Sequence, residues 1–334
     1  MFNRAPGIGL DIGSKKIKLA QVKSKKQGLE VVNFGSMATP DGIVEGGVIQ
    51  DPDRLGEELG VLVRDMKLNG KNAVSAVSGQ QVYTRNISMP AMPLKELKDA
   101  IQFQAMNFLP IPVEEAVMDI FPIRDYEDEE GKKTEVFFVA VRRQQVETLD
   151  LACKVAGLNL VAVEIEPIAI NRLLDPMQDE ENKAYLNIGA SRSYFTVFRN
   201  GVMTFYRSLS FGCAAFFQSS DLNGNQSDNM RMVSIRDNDT YDYLVRDVIS
   251  EMARSVEYYD MQNQGAEVKK IYLMGGGSRI QQLAEILSEG IAREVVVADL
   301  LSGIRIPKDI SEEEYDDLQH DFSVAIGLAA RKSL

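Results

Sequence analysis

The sequence predicts an α/β protein with a duplicated fold: two lobes around a cleft, and a small α/β subdomain inserted in the first lobe. Three observations predict it. First, Gly9-Leu10-Asp11-Ile12-Gly13-Ser14-Lys15-Lys16-Ile17-Lys18-Leu19 and Tyr185-Leu186-Asn187-Ile188-Gly189-Ala190-Ser191-Arg192-Ser193-Tyr194-Phe195 repeat one pattern. Each is an apolar strand ending in Asp or Asn, a Gly/Ser turn, and a returning apolar strand. Second, strand-like apolar runs alternate with segments of helical spacing. Third, the proline-bracketed stretch 90–142 interrupts that rhythm. The 334 residues, 45% of them hydrophobic, are enough for about two domains, each with its own core.

Taken in order, residues 7–22 read as a hairpin, followed by a strand over 29–34. Leu55, Leu59, Leu62 and Val63 recur at helical spacing and predict a helix over 53–66, entered by Asp51 as cap and Pro52 in the first turn. Strands are expected over 73–77 and 82–87. Pro90, Pro93, Pro110 and Pro112 then bracket a helix over 94–107 with Leu97, Ile101 and Met106 on its apolar side. Residues 116–121 and 135–141 form a strand pair around the charged tip 125–133, which with that helix makes the inserted subdomain.

Helical spacing resumes over 143–156 and stops at Gly157; a strand over 160–165 follows, and Pro167 opens a short helix to Leu174. The polar run 175–183 is the expected join between lobes. Three strands, 184–188, 194–199 and 202–208, open the second lobe, with Asn200-Gly201 as a tight hairpin turn. Residues 218–239, rich in Ser, Asn, Asp and Gly, are expected to be poorly ordered. A helix over 241–263, a strand over 270–274, the turn Gly275-Gly276-Gly277 and a helix over 279–289 come next. Ser311 with Glu314 predicts a capping box for a last helical region, whose apolar stretch 322–330 closes against the first lobe. The expected division is 1–88 for the first lobe, 89–142 for the insertion, 143–180 and 311–334 for the rest of the first lobe, and 181–310 for the second lobe, with 211–240 flexible or shortened.

A net charge of -12 opposes binding to a phosphate backbone, which relies on Lys and Arg displacing counterions, so no nucleic-acid role is expected. Cys153 and Cys213 lack disulfide-framework or metal-ligand spacing and read as buried residues in a reducing compartment. The single histidine, His320, removes His-based triads and His-rich metal sites. The amino terminus has no apolar leader, and no stretch approaches the roughly twenty apolar residues that span a bilayer, so the expectation is a cytoplasmic protein.

The first turn has the chemistry of a phosphate site. Gly13 and Ser14 let backbone amides approach a phosphate, Asp11 can hold a hydrated magnesium ion, and Lys16 and Lys18 supply cations. Strand alternation sets Lys18 opposite Ile17 and Leu19, so it can point into the cleft. In the second turn Gly189, Ala190 and Ser191 repeat the cradle, but Asn187 stands where the first copy has Asp11 and brings neither charge nor a proton acceptor. Gly275, Gly276, Gly277 and Ser278 follow an apolar strand, as suits backbone passing close beside a base or phosphate. Glu251, Arg254 and Ser255 share a helix face that can reach a ribose or base edge; a solvated Glu–Arg pair explains the same spacing.

Together these pieces resemble the actin-like ATPase superfamily, with its ribonuclease H-like lobes paired around a nucleotide. Within it the chain resembles the PilM family of type IV pilus assembly proteins. The resemblance rests on 9–14 with Ile17 and Lys18, on 107–115 (NFLPIPVEE) before Asp119, on 251–262 (EMARSVEYYDMQ) and on 271–277 (IYLMGGG), and it runs through nearly the whole chain. The insertion at 90–142 resembles the arrangement shared by PilM and the cell-division protein FtsA; the end of the chain at 330–334, without a membrane-binding helix, favours the PilM side. The resemblance implies ATP with magnesium as cofactor. It implies a groove beside the insertion for the cytoplasmic tail of the membrane protein PilN, a link to the pilus motor ATPases, a place at the inner membrane, and self-association as a further mode of contact. Asn187 and an eroded 211–239 point to weak or absent hydrolysis. Two alternatives stay open: a scaffold without nucleotide chemistry, like the secretion protein GspL, and sugar or acetate kinase chemistry on the same fold.

Overall fold

The computed structural model describes residues 7–25, 28–79, 82–174, 182–216 and 239–331. Strands β1 (Gly7–Ile12), β2 (Lys16–Lys25) and β3 (Gly28–Ala38) form an antiparallel meander. A short ribbon of β4 (Val44–Glu45) and β5 (Val48–Ile49) leads into helix α1 (Pro52–Asp65), which crosses to β6 (Asn72–Val77), parallel to β1. The chain then leaves the lobe through β7 (Val82–Pro90), α2 (Leu94–Ala105), β8 (Ala116–Asp128) and β9 (Gly131–Arg142). It returns through α3 (Arg143–Val155) to β10 (Asn159–Ile165), parallel to β6, and to α4 (Glu166–Leu174). The first sheet therefore runs β10-β6-β1-β2-β3.

The second lobe repeats this order. Strands β11 (Asn182–Ile188), β12 (Ser193–Arg199) and β13 (Val202–Leu209) form the meander, followed by α5 (Asp239–Gln262), β14 (Lys270–Met274), α6 (Leu283–Ile291) and β15 (Glu294–Val297). Its sheet runs β13-β12-β11-β14-β15, with β14 and β15 parallel to β11. Helices α7 (Glu312–His320) and α8 (Ser323–Ala329) end the described chain, and Phe322 with Ala325, Ile326 and Ala329 packs on Ala20, Val22 and Val31 of the first sheet.

Local chemistry accounts for these elements. The Asp51 side chain accepts the Arg54 amide at 3.0 Å and Pro52 opens α1, whose Leu55 and Leu59 are fully buried. Asn200 and Gly201 both have positive φ, 50° and 76°, as a two-residue hairpin turn requires. Ser311 and Glu314 form the reciprocal capping box of α7. One central cluster joins Leu10 and Leu19 of the first lobe, Phe137 and Val139 of β9, and Tyr185, Tyr194 and Phe198 of the second lobe. Met89, Leu97, Ile101, Ile120 and Phe138 form a separate core between α2 and the β7–β9 sheet.

Two local expectations differ, and one strand was not anticipated. The strand expected over 82–87 pairs with β9 in a separate sheet of order β7-β9-β8, not with the first-lobe sheet. The glycine turn opens a single 3₁₀ turn, Gly276–Arg279, and α6 starts only at Leu283, because Gln282 takes a left-handed conformation (φ 63°) that breaks the helix before it forms. Strand β15, four residues long, is too short for alternation to be read. Of the expected inter-lobe join 175–183, residues 175–181 lie outside the described residues and Asn182 and Lys183 belong to β11; of the polar run 218–239, residues 218–238 lie outside them and Asp239 opens α5.

Candidate functional site

The two predicted turns are built alike and touch. The Gly13 amide donates to Lys16 O at 3.0 Å, and the Gly189 amide to Arg192 O at 2.9 Å. A Cβ at either glycine would lie 2.9 Å from that same carbonyl, so both turns need glycine for one reason. The segment after the third strand braces each turn: Thr39 Oγ1 donates to Gly13 O at 2.7 Å and the Cys213 amide to Gly189 O at 2.9 Å. Across the cleft the Ser14 and Ser191 hydroxyls are 2.8 Å apart.

On the first turn, Asp11 and Lys18 are cross-strand partners on β1 and β2, with Nζ 2.8 Å from Oδ2 and both side chains largely shielded. Burial opposes the Lys18 charge, yet the Asp11 and Asp321 carboxylates outweigh it and hold the ammonium pKa above its usual value. Lys16 reaches Asp321 at 3.4 Å and Asp317 at 3.8 Å. On the second turn Asn187 holds the place of Asp11, and its cross-strand partner is Tyr194 where the first turn has Lys18. Asn187 Oδ1 and the Tyr194 hydroxyl are both buried without a hydrogen-bond partner.

Sequence reasoning missed Glu166, at the first position of α4. Its carboxyl faces Asp11, Lys18, Ser78 and the Tyr194 hydroxyl, without normal hydrogen-bond geometry to that hydroxyl. Burial, and then the Asp11 charge, push its pKa up to about 7. The one available signal was its place at the end of an apolar strand opening a helix, as Asp11 ends β1.

The glycine turn closes the other side. A Cβ on Gly275 (φ 79°) would come within 2.4 Å of Asn187 Oδ1, and one on Gly277 within 2.3 Å of Ile188 Cγ2. These two glycines are thus required by close packing on β11, and Gly276 is the one that faces Asp321. The Ser278 hydroxyl donates to Gly275 O at 2.6 Å and lies 2.7 Å from His320 Nδ1, which must then be the donor. Arg279 is gripped by Asp316, Asp317 and Asp321 at 2.6, 2.8 and 2.7 Å. Part of the acidic run of α7, Asp316 and Asp317, is therefore paired with this arginine. A cavity of about 760 Å³ lies beside it, lined by Ser278, Arg279, Gln282, Glu285, Asp316 and His320.

The α5 trio is only partly available. Glu251 pairs with Arg254 and, at 3.3 Å, with Arg207 of β13. Ser255 is fully buried and its hydroxyl donates back to Glu251 O of its own helix at 2.7 Å, so it is not available to a ligand in the cleft.

A second concavity, of about 460 Å³, lies between the inserted sheet and β13, lined by Tyr83, Arg85, Phe108, Leu109, Tyr206 and Arg207 among others. Arg85 stacks 5.0 Å over the Phe108 ring, and Asn86 Nδ2 donates to Thr204 O at 3.1 Å, tying the insertion to the second lobe. Among the described residues no helix is long and apolar enough to cross a membrane, and no three His, Cys, Asp or Glu side chains form a metal cage.

The duplicated sheet with its paired turns is the actin-like, ribonuclease H-like arrangement. Among solved structures, the chain is similar to a chain of a PilM-PilN type IV pilus biogenesis complex, with a TM-score of 0.85 and 26% identity over 98% of each chain. It is more distantly similar to the ethanolamine utilization protein EutJ from Carboxydothermus hydrogenoformans, with a TM-score of 0.55 and 14% identity over 98% of this chain and 90% of that one, a likeness of fold alone. The family model described as type IV pilus assembly protein PilM matches residues 9–333, and the chain belongs to that family.

Proposed function

We propose that this chain is a nucleotide-binding adaptor of type IV pilus assembly, working at the cytoplasmic face of the inner membrane. It takes ATP with magnesium between its two turns and holds the cytoplasmic tail of PilN in the groove beside its inserted sheet. The observation that carries the nucleotide half is the direct meeting of two equivalent glycine turns at Ser14 and Ser191, 2.8 Å apart. The partner half rests on the family match and on the likeness to a chain from a PilM-PilN complex.

The residues fit the cofactor. Asn187 Oδ1 and the Tyr194 hydroxyl are buried polar atoms lacking partners, as expected of groups that hydrogen-bond to a bound ligand or its water. Among the described residues no three carboxylates gather around Asp11, so a metal there would be held largely by water and phosphate oxygens, the habit of magnesium. When bound, the ion would neutralise phosphate charge and polarise the terminal phosphate. Amides of Ser14, Ala190 and Ser191 cradle the phosphates, those of Gly13 and Gly189 being held inside the turns by Lys16 O and Arg192 O, and Lys16 and Lys18 exchange their carboxylate partners for phosphate oxygens. Gly276 and Ser278, with Glu251 and Arg254 on the facing helix, border the nucleoside side. Glu166, with a pKa of about 7, orients a water and holds its proton. Asn187 offers no second charge, so turnover is slow.

A nucleotide-free scaffold is the second reading, favoured by one feature: Lys16, Lys18 and Arg279 already have internal carboxylate partners. Calorimetric titration with ATP and magnesium separates the two. Heat with a dissociation constant below millimolar supports the nucleotide-binding adaptor, and none at millimolar ATP leaves the scaffold. For the groove, Arg85→Glu is expected to weaken capture of a PilN-tail peptide at least about ten-fold with the ATP titration unchanged; unchanged capture would move the peptide site elsewhere.

A further inference from the structure

The cleft and the groove are joined by one pair of rings. Tyr194 on β12 and Tyr206 on β13 share a sheet face as diagonal neighbours, their centroids 5.9 Å apart and planes tilted by 35°. One end of the pair is the unpartnered, buried Tyr194 hydroxyl facing Glu166, which in turn faces Asp11 and Lys18. The other end is Tyr206, which lines the groove with Tyr83, Arg85 and Phe108. The Glu166 charge extends to the second ring, since after burial it is the main influence raising the Tyr206 phenol's pKa.

We propose that Tyr194 and Tyr206 form the coupling element between the phosphate cleft and the peptide groove. This rests on the reading of the cleft as a nucleotide site and of the groove as the seat of the PilN tail. A phosphate or its water gives the Tyr194 hydroxyl the partner it lacks; the ring then changes its seat against Tyr206, and the groove wall follows. The groove is suited to feel such a shift, because its walls belong to different units: β7 and the 108–110 segment in the insertion, and β13 in the second lobe. Coupling of this kind is reciprocal, so the peptide must change nucleotide affinity by the same factor.

The test uses the full chain, a fluorescent peptide of the PilN cytoplasmic tail, and magnesium with a non-hydrolysable ATP analogue. Peptide affinity is measured with and without saturating analogue. In the wild-type protein the two dissociation constants are expected to differ at least about five-fold, the low end of typical allosteric coupling. In Tyr194→Phe the ratio is expected to fall to within about a factor of two of unity, with the nucleotide-free peptide affinity unchanged, since Tyr194 does not line the groove. Removing a buried hydroxyl without a partner does not threaten folding and should leave the melting temperature equal or higher. A Tyr194→Phe ratio equal to wild type overturns the proposal, as does a wild-type protein that binds both ligands independently. If the analogue gives no titration heat at all, the nucleotide reading falls and takes the coupling with it; if only the peptide fails to bind, the groove reading falls, again with the coupling.

Discussion

Asp11 and Asn187 are equivalent residues with opposite accounts of their polarity. Asp11 is balanced by Lys18, whereas Asn187 faces Tyr194 and leaves its carbonyl unpaired. An aspartate at 187 would carry a buried, unpaired charge, so Asn187→Asp is expected to lower the stability of the ligand-free protein by about 2 kcal/mol. With ATP and magnesium the new carboxylate gains a cation, and both the ligand-induced rise in melting temperature and the turnover should exceed wild type. Equal thermal shifts in the two proteins would remove residue 187 from the metal's surroundings. Glu166 gives a prediction in pH. Its folded pKa of about 7 lies above the ordinary glutamate value of 4.5, so the folded state holds the extra proton and stability falls as pH rises across that window. The loss is at most about 3 kcal/mol, and Glu166→Gln removes it. His320, whose pKa burial lowers, contributes the opposite slope, so the difference between urea titrations of wild type and variant is the quantity to read. A difference flat from pH 4.5 to pH 7 would refute the shift.

At the scale of elements, the hairpins, α1 and the capping box of α7 were legible because each is specified by neighbours in sequence: a period, a cap, a turn dipeptide. The duplication was legible in a few residues at the turns and proved to govern the order of both five-stranded sheets. What could not be read was convergence. Glu166 and Asp321 meet Lys18 only through tertiary folding, and Arg279 lies 42 positions before its partner Asp321. The strand pairing of β7 was lost for the same reason: period-2 alternation names a strand, not the sheet it joins. The glycine turn is intermediate. Its glycines were visible, but at 275 and 277 their reason is β11 beneath them, not a ligand above. Gly275→Ala should therefore destabilise by about 2–4 kcal/mol, from a contact of 2.4 Å and a positive φ together. Denaturant unfolding should show a lower midpoint at unchanged slope; a cost within about 0.5 kcal/mol would mean the turn moves freely off β11.

Over the whole molecule the lobes share a core, and polar ties among the described residues include the turns meeting at Ser14 and Ser191, the insertion reaching β13 through Asn86, and α7 gripping the glycine turn of the second lobe. The α7 tie is the densest. Arg279 is shared among three carboxylates, Lys16 approaches two of them, and His320 meets Ser278. Asp321 sits at its centre with a side chain only 11% exposed, and after the opposing effect of burial the charges of Arg279, Lys18 and Lys16 hold its pKa below the usual value. Removing the arginine would strand that carboxylate, so Arg279→Gln is expected to cost about 2–4 kcal/mol. Most of that cost is the unpaired anion and not the lost attraction, so adding Asp321→Asn to the same chain should recover at least about 1 kcal/mol. Because Arg279 belongs to the second lobe and α7 packs with α8 on the first, the single variant should also widen the distribution of radii seen by small-angle scattering, and the double variant should stay wide. That combination, stability partly regained while the lobes stay loosened, separates a latch between lobes from a merely local ion pair. If Arg279→Gln loses stability but scatters like wild type, the cluster is a local support and closure is governed by the turns alone.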